Sequence, residues 1–196
     1  MFHTIPQAMQ DRMRYLEEID TRDRQDGTAH LKRLRQIPAE TGRFLALWAA
    51  SAPDGRWLEI GTSAGYSTMW LSLACRAVGQ TIETFEVLSE KVALAQETFA
   101  RASIEDVVSL VHGDARGHLA SVEDVAFCFL DAEKDVYEDC YDLLVPLMVS
   151  GGILICDNAT SHEEALRPFI ERVLADERVD ATVMPVGKGE LVIRRI

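Results

Sequence analysis

The stretch LEIGTSAGYS (Leu58–Ser67) decides the fold of this 196-residue chain. A short, mostly apolar run over Arg56–Ile60 predicts a buried strand, and Ser67–Val78 carries apolar residues at helical spacing. Between them, Gly61 and Gly65 permit a tight turn and a close approach of the backbone to a ligand. Strand, glycine turn and helix in this order are typical of α/β proteins that bind a nucleotide-like ligand at the helix N-terminus.

The spacing of the glycines indicates which ligand the turn suits. A dinucleotide fingerprint is G-x-G-x-x-G, and its second glycine lets a pyrophosphate approach the backbone. Here Ser63 takes that second place, and Glu59 precedes the turn. The pattern disfavours an NAD oxidoreductase and suits S-adenosylmethionine, which has no pyrophosphate and whose ribose, sulfonium and amino acid end fit an acidic rim. A tight turn without a ligand is the alternative that the pattern alone leaves open.

Composition limits the classes of protein to consider. The formal net charge of −12 disfavours nonspecific binding to nucleic acid and favours a small-molecule partner. No apolar stretch is long enough to span a membrane, and the N-terminus lacks a signal-peptide core. Four cysteines without C-x-x-C spacing are typical of buried free thiols. We therefore expect one soluble, cytoplasmic domain over residues 1–196, with residues 1–36 as an N-terminal helical extension.

Hydrophobic periodicity predicts alternating helices and strands along the whole chain. The other predicted helices are Ile5–Asp26, Thr28–Gln36, Glu40–Ala52, Ser89–Ala102, Tyr137–Val149 and His162–Ala175. The other predicted strands are Thr81–Val87, Val107–Val111, Val125–Leu130, Ile153–Cys156, Val179–Val186 and Leu191–Ile196. This order predicts a doubly wound, mostly parallel α/β sheet that ends in an antiparallel hairpin.

Several polar residues follow the predicted strands and are candidates for the ligand site. Glu86 ends the second strand, where nucleotide-binding α/β proteins place an acid that accepts hydrogen bonds from ribose hydroxyls. After the third strand, Asp114 could accept from an adenine amino group and Ala115 offers a backbone donor, but helix capping explains both residues equally well.

Two neighbouring strands end in acidic and amide side chains. Asp131 follows the apolar run Val125–Leu130, and Asp157 and Asn158 follow Ile153–Cys156. The carboxyl ends of neighbouring parallel strands lie at one edge of a sheet. Carboxylate and amide oxygens are the ligands that Mg²⁺ prefers, so these three residues are candidates for a divalent-cation site.

Taken together, these motifs resemble the cation-dependent O-methyltransferases, a family that includes the caffeoyl-CoA and catechol O-methyltransferases and many bacterial relatives. The resemblance runs from about Pro38 to the C-terminus. Its elements are PAETG (Pro38–Gly42), LEIGTSAGYS, Glu86, GDA (Gly113–Ala115), LDAEKDVY (Leu130–Tyr137) and GGILICDN (Gly151–Asn158). It implies a seven-stranded, doubly wound methyltransferase sheet with a C-terminal antiparallel hairpin.

The resemblance also assigns roles to individual positions. Some positions correspond to cofactor contacts, and others lie beside them in the glycine turn and the neighbouring loops. Together they are Glu59, Gly61, Thr62, Ser63, Gly65, Ser67, Glu86, Asp114, Ala115 and Asp131. The metal ligands correspond to Asp131, Asp157 and Asn158, and Lys134 corresponds to the general base. His162 lies near a position that relatives use for the acceptor. The loop after Asn158 is shorter than in many relatives, which predicts a more open site.

The sequence therefore predicts an S-adenosylmethionine-dependent O-methyltransferase that uses Mg²⁺ and methylates a small catechol-like or phenolic acceptor. Lys134 and Asp131 are the predicted catalytic residues. The alternatives are a metal-independent methyltransferase of another natural-product hydroxyl and a cofactor-binding protein without turnover. The resemblance to dimeric bacterial members, together with the amphipathic N-terminal segment, predicts a homodimer, which light scattering at micromolar concentration would test.

Overall fold

The fold is described from a computed structural model covering residues 4–196. The predicted N-terminal extension starts at residue 1, so its first three residues lie outside the described part. The helices are α1 (Gln7–Asp23), α2 (Ala39–Ala49), α3 (Tyr66–Val78), α4 (Ser89–Ala102), α5 (Ala115–Leu119), α6 (Tyr137–Leu144) and α7 (Glu163–Leu174). The strands are β1 (Arg56–Ile60), β2 (Ile82–Glu86), β3 (Val108–His112), β4 (Val125–Leu130), β5 (Met148–Cys156), β6 (Val179–Met184) and β7 (Glu190–Arg195).

The seven strands form one sheet in the order β3-β2-β1-β4-β5-β7-β6. Strands β1 to β5 pair in parallel, whereas β7 pairs antiparallel with both β5 and β6. The predicted mostly parallel sheet with a C-terminal antiparallel hairpin is confirmed. The chain winds outwards in both directions from β1 and β4, and ligands of such sheets bind at the carboxyl ends of the strands near this point.

Helices cover both faces of the sheet. Strand β4 (VAFCFL) is buried along its whole length, as expected for a central strand covered on both sides. Its alternate side chains point to opposite faces, so Phe127 packs among helices α1 to α4 and Cys128 among helices α5 to α7. The two cores hold the strand ends in fixed positions, on which the site is built.

The predicted helix over Thr28–Gln36 is wrong, because only His30–Lys32 forms a short 3-10 turn. Within the predicted range, Arg35 adopts a left-handed φ of 53°, which does not fit a continuous helix. Pro38 also disfavours helical backbone at the residue before it. The segment therefore runs as an extended strap towards the sheet, and its position matters for the site.

The boundary between α6 and β5 also differs from the prediction. The predicted helix over Tyr137–Val149 ends at Leu144 and is followed by a 3-10 turn over Val145–Leu147. Pro146 lies in that turn and cannot donate the backbone hydrogen bond that a longer helix would need. Strand β5 already begins at Met148 and continues through Gly151 and Gly152, where its register with β4 shifts. The two glycines, which lie before the predicted strand Ile153–Cys156, are thus an irregular part of β5.

Other expectations concern the chemical state of the chain and its surroundings. All four cysteines are buried free thiols, as predicted. Within residues 4–196, no helix combines the length and the apolar composition needed to cross a membrane. The homodimer and the cytoplasmic location stay predictions.

Candidate active site

A cavity of about 600 Å³ opens at the carboxyl ends of β1, β2, β4 and β5. The predicted site residues that line it are Gly61, Thr62, Ser63, Ser67, Glu86, Asp114, Ala115, Asp131, Lys134, Asn158 and His162. Three others, Glu59, Gly65 and Asp157, lie behind its wall. The structure thus brings the predicted site residues to one cavity, where some line its surface and others lie directly behind it.

The glycine turn between β1 and α3 is constrained by its neighbours. Gly61 has a φ of 105°, and a Cβ atom there would lie 2.1 Å from the carbonyl oxygen of Asp131. Gly65 has a φ of 84°, and a Cβ atom there would lie 2.6 Å from the ring of Phe99. Gly61 therefore lets β1 and β4 approach at the cavity floor. Gly65 starts α3 and packs against α4.

Glu59 supports the turn from inside the protein. Its carboxylate is fully buried and accepts hydrogen bonds from the hydroxyls of Ser67 (2.6 Å), Thr68 (2.5 Å) and Thr84 (2.6 Å). Burial raises the pKa of Glu59 to about 7, although the three hydroxyl donors oppose that shift. Glu59 does not line the cavity, but it holds the hydroxyl of Ser67, which does, and its predicted contact with the cofactor stays a prediction.

Glu86 faces the cavity at the end of β2. One carboxylate oxygen accepts from the backbone N–H of Ser63 (2.8 Å), and the other accepts from that of Leu88 (2.9 Å). Each carboxylate oxygen can accept two hydrogen bonds, so acceptor capacity remains for a ligand. This geometry suits a pair of ribose hydroxyls and joins the glycine turn to the end of β2.

Asp114 caps helix α5, a short helix that hydrophobic periodicity did not predict. Its side chain accepts from the backbone N–H of Arg116 (2.9 Å) and pairs with the Arg116 guanidinium (2.7 Å). Hydrogen bonds from Arg116 lower the pKa of Asp114. The capping interpretation of Asp114 is thus correct, and its contact with adenine stays a prediction. Ala115 is the first helical residue and lines the cavity.

Lys134 and Asp131 meet at the end of β4. The Lys134 ammonium donates to the hydroxyl of Tyr137 (2.6 Å), to the carbonyl of Ala132 (2.9 Å) and to the Asp131 carboxylate (3.4 Å). The Tyr137 hydroxyl is buried and lies 3.2 Å from the carbonyl oxygens of both Leu130 and Asp157. Tyr137 thereby connects Lys134 to the ends of β4 and β5.

Asp157 and Asn158 end the neighbouring strand β5. Asp157 is 0% exposed, and one carboxylate oxygen accepts from the backbone N–H of Asn158 (2.6 Å) while Oδ2 has no partner. Burial raises the pKa of Asp157, and the nearby charge of Asp131 adds to the shift. Asn158 has a φ of 71°, which an asparagine tolerates better than most residues, and its side chain lines the cavity.

The oxygen-bearing side chains of Asp131, Asp157 and Asn158 are of the chemical type that binds a divalent cation. Among residues 4–196, no group of three or more His, Cys, Asp or Glu side chains is already arranged to hold a metal. The predicted set differs from such groups because its third ligand is the amide oxygen of Asn158. The unpartnered, buried Oδ2 of Asp157 is an oxygen that a cation would satisfy.

Sequence reasoning missed Glu190, the first residue of β7. Cys156 pairs with Leu191 in the antiparallel ladder, so Glu190 lies opposite Asp157. Glu190 is 0% exposed, and neither oxygen accepts from a hydrogen-bond donor, but its carboxyl group lies within hydrogen-bonding reach of the Asp157 carboxyl group. Burial raises its pKa, and the charge of Asp157 adds to the rise. The signal that could have identified Glu190 is its position as an acidic residue directly before the apolar run Leu191–Ile193.

The Asp157–Glu190 pair predicts a pH dependence of stability. Because both pKa values are raised in the folded protein, unfolding releases protons, and stability is expected to fall as pH rises above the ordinary carboxyl range. Metal-free protein should therefore be less stable at about pH 8 than at about pH 5, and Glu190→Gln should flatten this dependence. The measurement is the free energy of unfolding by urea in the presence of EDTA at both pH values, with the exposed Glu177→Gln as control. Equal pH slopes in wild type and Glu190→Gln would contradict the expectation.

The N-terminal strap also contributes to the cavity, which no sequence motif indicated. Its lining residues are His30, Leu31, Arg33, Leu34, Arg35, Gln36 and Ile37. The hydroxyl of Ser63 donates to the carbonyl of Leu34 (3.0 Å), and Arg35 pairs with Glu133 (2.5 Å). The strap is thus attached both to the glycine turn and to the loop after β4.

His162 is exposed at the start of α7, and its Nδ1 lies 3.0 Å from the Ser161 hydroxyl. Partial burial lowers its pKa, and the positive charges of Lys134 and Lys188 act in the same direction. His162 lines the cavity near Asn158, so a contact with the acceptor stays a prediction.

A seven-stranded sheet in the order β3-β2-β1-β4-β5-β7-β6, parallel except for β7, is the fold of the α/β methyltransferases. Sequence comparison makes this assignment more specific. The profile of the O-methyltransferase family matches residues 10–196. The chain belongs to the O-methyltransferase family, and the predicted enzyme class is confirmed.

Individual relatives agree with the family assignment. A catechol O-methyltransferase of Niastella koreensis is 32% identical over 165 residues, which cover 76% of this chain and 74% of the relative. A caffeoyl-CoA O-methyltransferase of Populus kitakamiensis is 24% identical over 184 residues, covering 82% and 78%. An O-methyltransferase from Bacillus cereus, crystallised in complex with SAH, shares the fold with a TM-score of 0.77 at 23% identity, covering 95% of this chain and 91% of that one.

Proposed function

We propose that this enzyme transfers the methyl group of S-adenosylmethionine to a hydroxyl of a small catechol-like acceptor and requires a divalent cation, Mg²⁺ in the first instance. The observation that carries the proposal is the placement of Asp131, Asn158 and Lys134 at one end of the cavity whose other end holds Glu86. Donor and acceptor subsites therefore share one space.

The residues around β1, β2 and β3 would hold the methyl donor. The carboxylate of Glu86 retains acceptor capacity for the ribose hydroxyls, as its two backbone partners leave lone pairs free. No side chain caps the N-terminus of α3, so its first-turn N–H groups are suited to the donor's carboxylate. The sulfonium of S-adenosylmethionine supplies the electrophilic methyl group, and the surrounding residues fix its direction.

The oxygen ligands for the cation would be Asp131, Asp157 and Asn158. A bound Mg²⁺ would supply Lewis acidity, which lowers the pKa of a chelated catechol hydroxyl and orients its oxygen. The three side chains come from the ends of adjacent, fully packed strands, so the chain itself fixes their separation. Such preorganisation is what positioning a reacting oxygen requires.

Lys134 would take the proton of the attacked hydroxyl. Its Nζ atom reaches Asp131 at 3.4 Å and is held by the Tyr137 hydroxyl at 2.6 Å, so the amine is fixed beside the proposed acceptor oxygen. A positioned general base of this kind contributes about 10²–10⁴-fold to the rate. Tyr137 is a positioning residue, because it acts through Lys134.

A direct test measures methyl transfer to catechol, to a monophenol and to an aliphatic alcohol with purified protein and S-adenosylmethionine. We expect transfer to catechol, its loss in EDTA and its recovery with excess Mg²⁺. Undiminished transfer in EDTA would identify a metal-independent methyltransferase. Cofactor binding by calorimetry without transfer to any acceptor would identify a binding protein without turnover.

A further inference from the structure

The charge of the cavity wall is opposite to that of the chain. The protein has 32 acidic and 20 basic residues. Among the lining residues, seven are lysine or arginine and only four are aspartate or glutamate. The basic residues are Arg24, Arg33, Arg35, Lys91, Arg116, Lys134 and Lys188. A positively charged wall in a strongly acidic protein indicates a ligand with negative charge.

Most of the lining cations near the strand ends already have a carboxylate partner. Arg116 pairs with Asp114 (2.7 Å) and Asp139 (2.6 Å), and Lys134 pairs with Asp131. Arg33 and Lys91 also lack an ion-pair partner within residues 4–196, but Arg33 donates to the carbonyl of Thr28 (2.7 Å) and Lys91 lies on α4, near Glu86. Lys188 lies elsewhere. Its ammonium donates only to the backbone carbonyls of Arg35 (3.3 Å) and Gln36 (3.2 Å), and within residues 4–196 no carboxylate forms an ion pair with it. At longer range its charge acts on the buried carboxylate of Asp157, so the ammonium has a nearby negative group but no direct ion-pair partner.

The position of Lys188 places this charge at the acceptor end. Lys188 lies in the loop between β6 and β7, and its carbonyl accepts from the backbone N–H groups of Thr160 and Ser161 (3.1 and 3.0 Å), just after Asn158. The cofactor residues lie on the other side of the cavity, at the ends of β1, β2 and β3. Lys188 is thus remote from the proposed donor subsite and close to the proposed acceptor subsite.

Two histidines also line this end of the cavity, and neither carries a negative charge that would neutralise Lys188. His162 and His30 both line the cavity, and the charges of Lys188, Lys134 and His30 all act on His162. The acidic groups at this end are Asp131, which pairs with Lys134, and the buried Asp157, on which the charge of Lys188 acts. Both acids belong to the proposed cation site. An acceptor with a single negative charge, on the side away from its reacting hydroxyls, would match the ammonium of Lys188, which has no direct ion-pair partner among residues 4–196.

We propose that the acceptor is a phenolic acid, and that Lys188 binds its carboxylate and thereby selects it over uncharged catechols. This inference rests on the proposed function. A carboxylate fits better than a phosphate, because Lys188 offers one unpaired charge and a phosphate carries nearly two. Lys188 is also fixed before the ligand arrives, since two backbone carbonyls hold its ammonium in place.

The test compares 3,4-dihydroxybenzoate with its methyl ester, which has the same catechol but no charge. In the wild type we expect KM for the acid to be lower than for the ester by roughly tenfold, the effect of one charge-assisted hydrogen bond, with the advantage shrinking as salt is added. Lys188→Met should bring the ratio of the two KM values close to one, and Lys188→Arg should restore most of it. Lys32→Met, on the exposed part of the strap, is the matched control.

Each outcome separates this inference from the proposed function. Transfer to both substrates with equal KM in the wild type, or an unchanged preference in Lys188→Met, would overturn the role of Lys188 while leaving the methyltransferase intact. Absence of transfer to either compound and to catechol would overturn the proposed function and this inference together. A displaced strap in Lys188→Met would raise KM for acid and ester alike and lower the thermal unfolding temperature, whereas a lost carboxylate contact would raise KM for the acid alone.

Discussion

Replacing Asp157 with asparagine is expected to lower methyl transfer to catechol by at least about 100-fold, because a bound dication contributes several kcal/mol and this change removes one of its anionic ligands. Asparagine has the same shape and can still accept the hydrogen bond that Asp157 receives from the N–H of Asn158 (2.6 Å). The change therefore removes charge and leaves the local backbone in place.

Affinity for S-adenosylmethionine should stay close to the wild-type value in this variant. Asp157 is 0% exposed and lies behind the cavity wall, at the end away from Glu86. Folding should not suffer either, because burial raises the pKa of Asp157 and the ionised carboxylate is unfavourable in the metal-free protein. The measurements are calorimetric titration with the cofactor, titration with Mg²⁺ and the initial rate of transfer.

The matched control for Asp157→Asn is Asp135→Asn, an exposed acid in the 3-10 turn beside the site. It should retain wild-type transfer and Mg²⁺ affinity. Transfer by Asp157→Asn within about threefold of the wild type, with no effect of EDTA, would eliminate the metal role and favour the metal-independent alternative. If the metal role is correct, EDTA-treated wild type and Asp157→Asn should show similarly low rates of methyl transfer.

The central part of the fold could be predicted because its signals are local and strong. Strands β1 and β4 begin and end where the apolar runs do, and the glycine turn forces the chain to change direction between β1 and α3. The strand ends then lie at one edge by topology alone. This is why residues as distant in sequence as Gly61, Glu86, Asp131 and Asn158 could be assigned to one cavity without coordinates.

The strap could not be predicted because its structure depends on tertiary contacts. Leu31 and Leu34 are spaced as in a helix, yet Leu31 is exposed and Leu34 is buried against the core. What holds the strap is the hydrogen bond from Ser63 to the Leu34 carbonyl and the pair between Arg35 and Glu133, and these join positions far apart in sequence. Periodicity reports one face of a helix and carries no information about such long-range pairs.

Which site residues line the cavity and which are buried behind it could not be predicted from the sequence either. Glu59 and Glu86 are both acids beside strand ends, but one is sealed beneath three hydroxyls and the other faces the cavity. Burial of an individual carboxylate depends on which helix packs over it. Glu190 illustrates the same point, since only the antiparallel register with β5 places it opposite Asp157.

Replacing Lys134 with methionine is expected to slow transfer by roughly 10²–10⁴-fold at neutral pH, the range typical of general acid–base catalysis. Methionine preserves most of the apolar stem and removes the amine that Tyr137 and Asp131 hold. The deficit should shrink as pH rises, because an acceptor hydroxyl that ionises unaided no longer needs a base. Affinities for Mg²⁺ and cofactor should change little, which distinguishes this variant from Asp157→Asn.

Tyr137→Phe serves as the comparison for Lys134→Met, because it removes the 2.6 Å contact that positions the amine and leaves the amine itself in place. It should show a smaller loss with the same direction of pH dependence, since a base that is less well placed still accepts a proton. The measurement is the rate of transfer to catechol over a range of pH for wild type and both variants at saturating cofactor. If the deficit of Lys134→Met is the same at every pH, proton abstraction is not its role, and Lys134 instead acts as a fixed positive charge that orients Asp131.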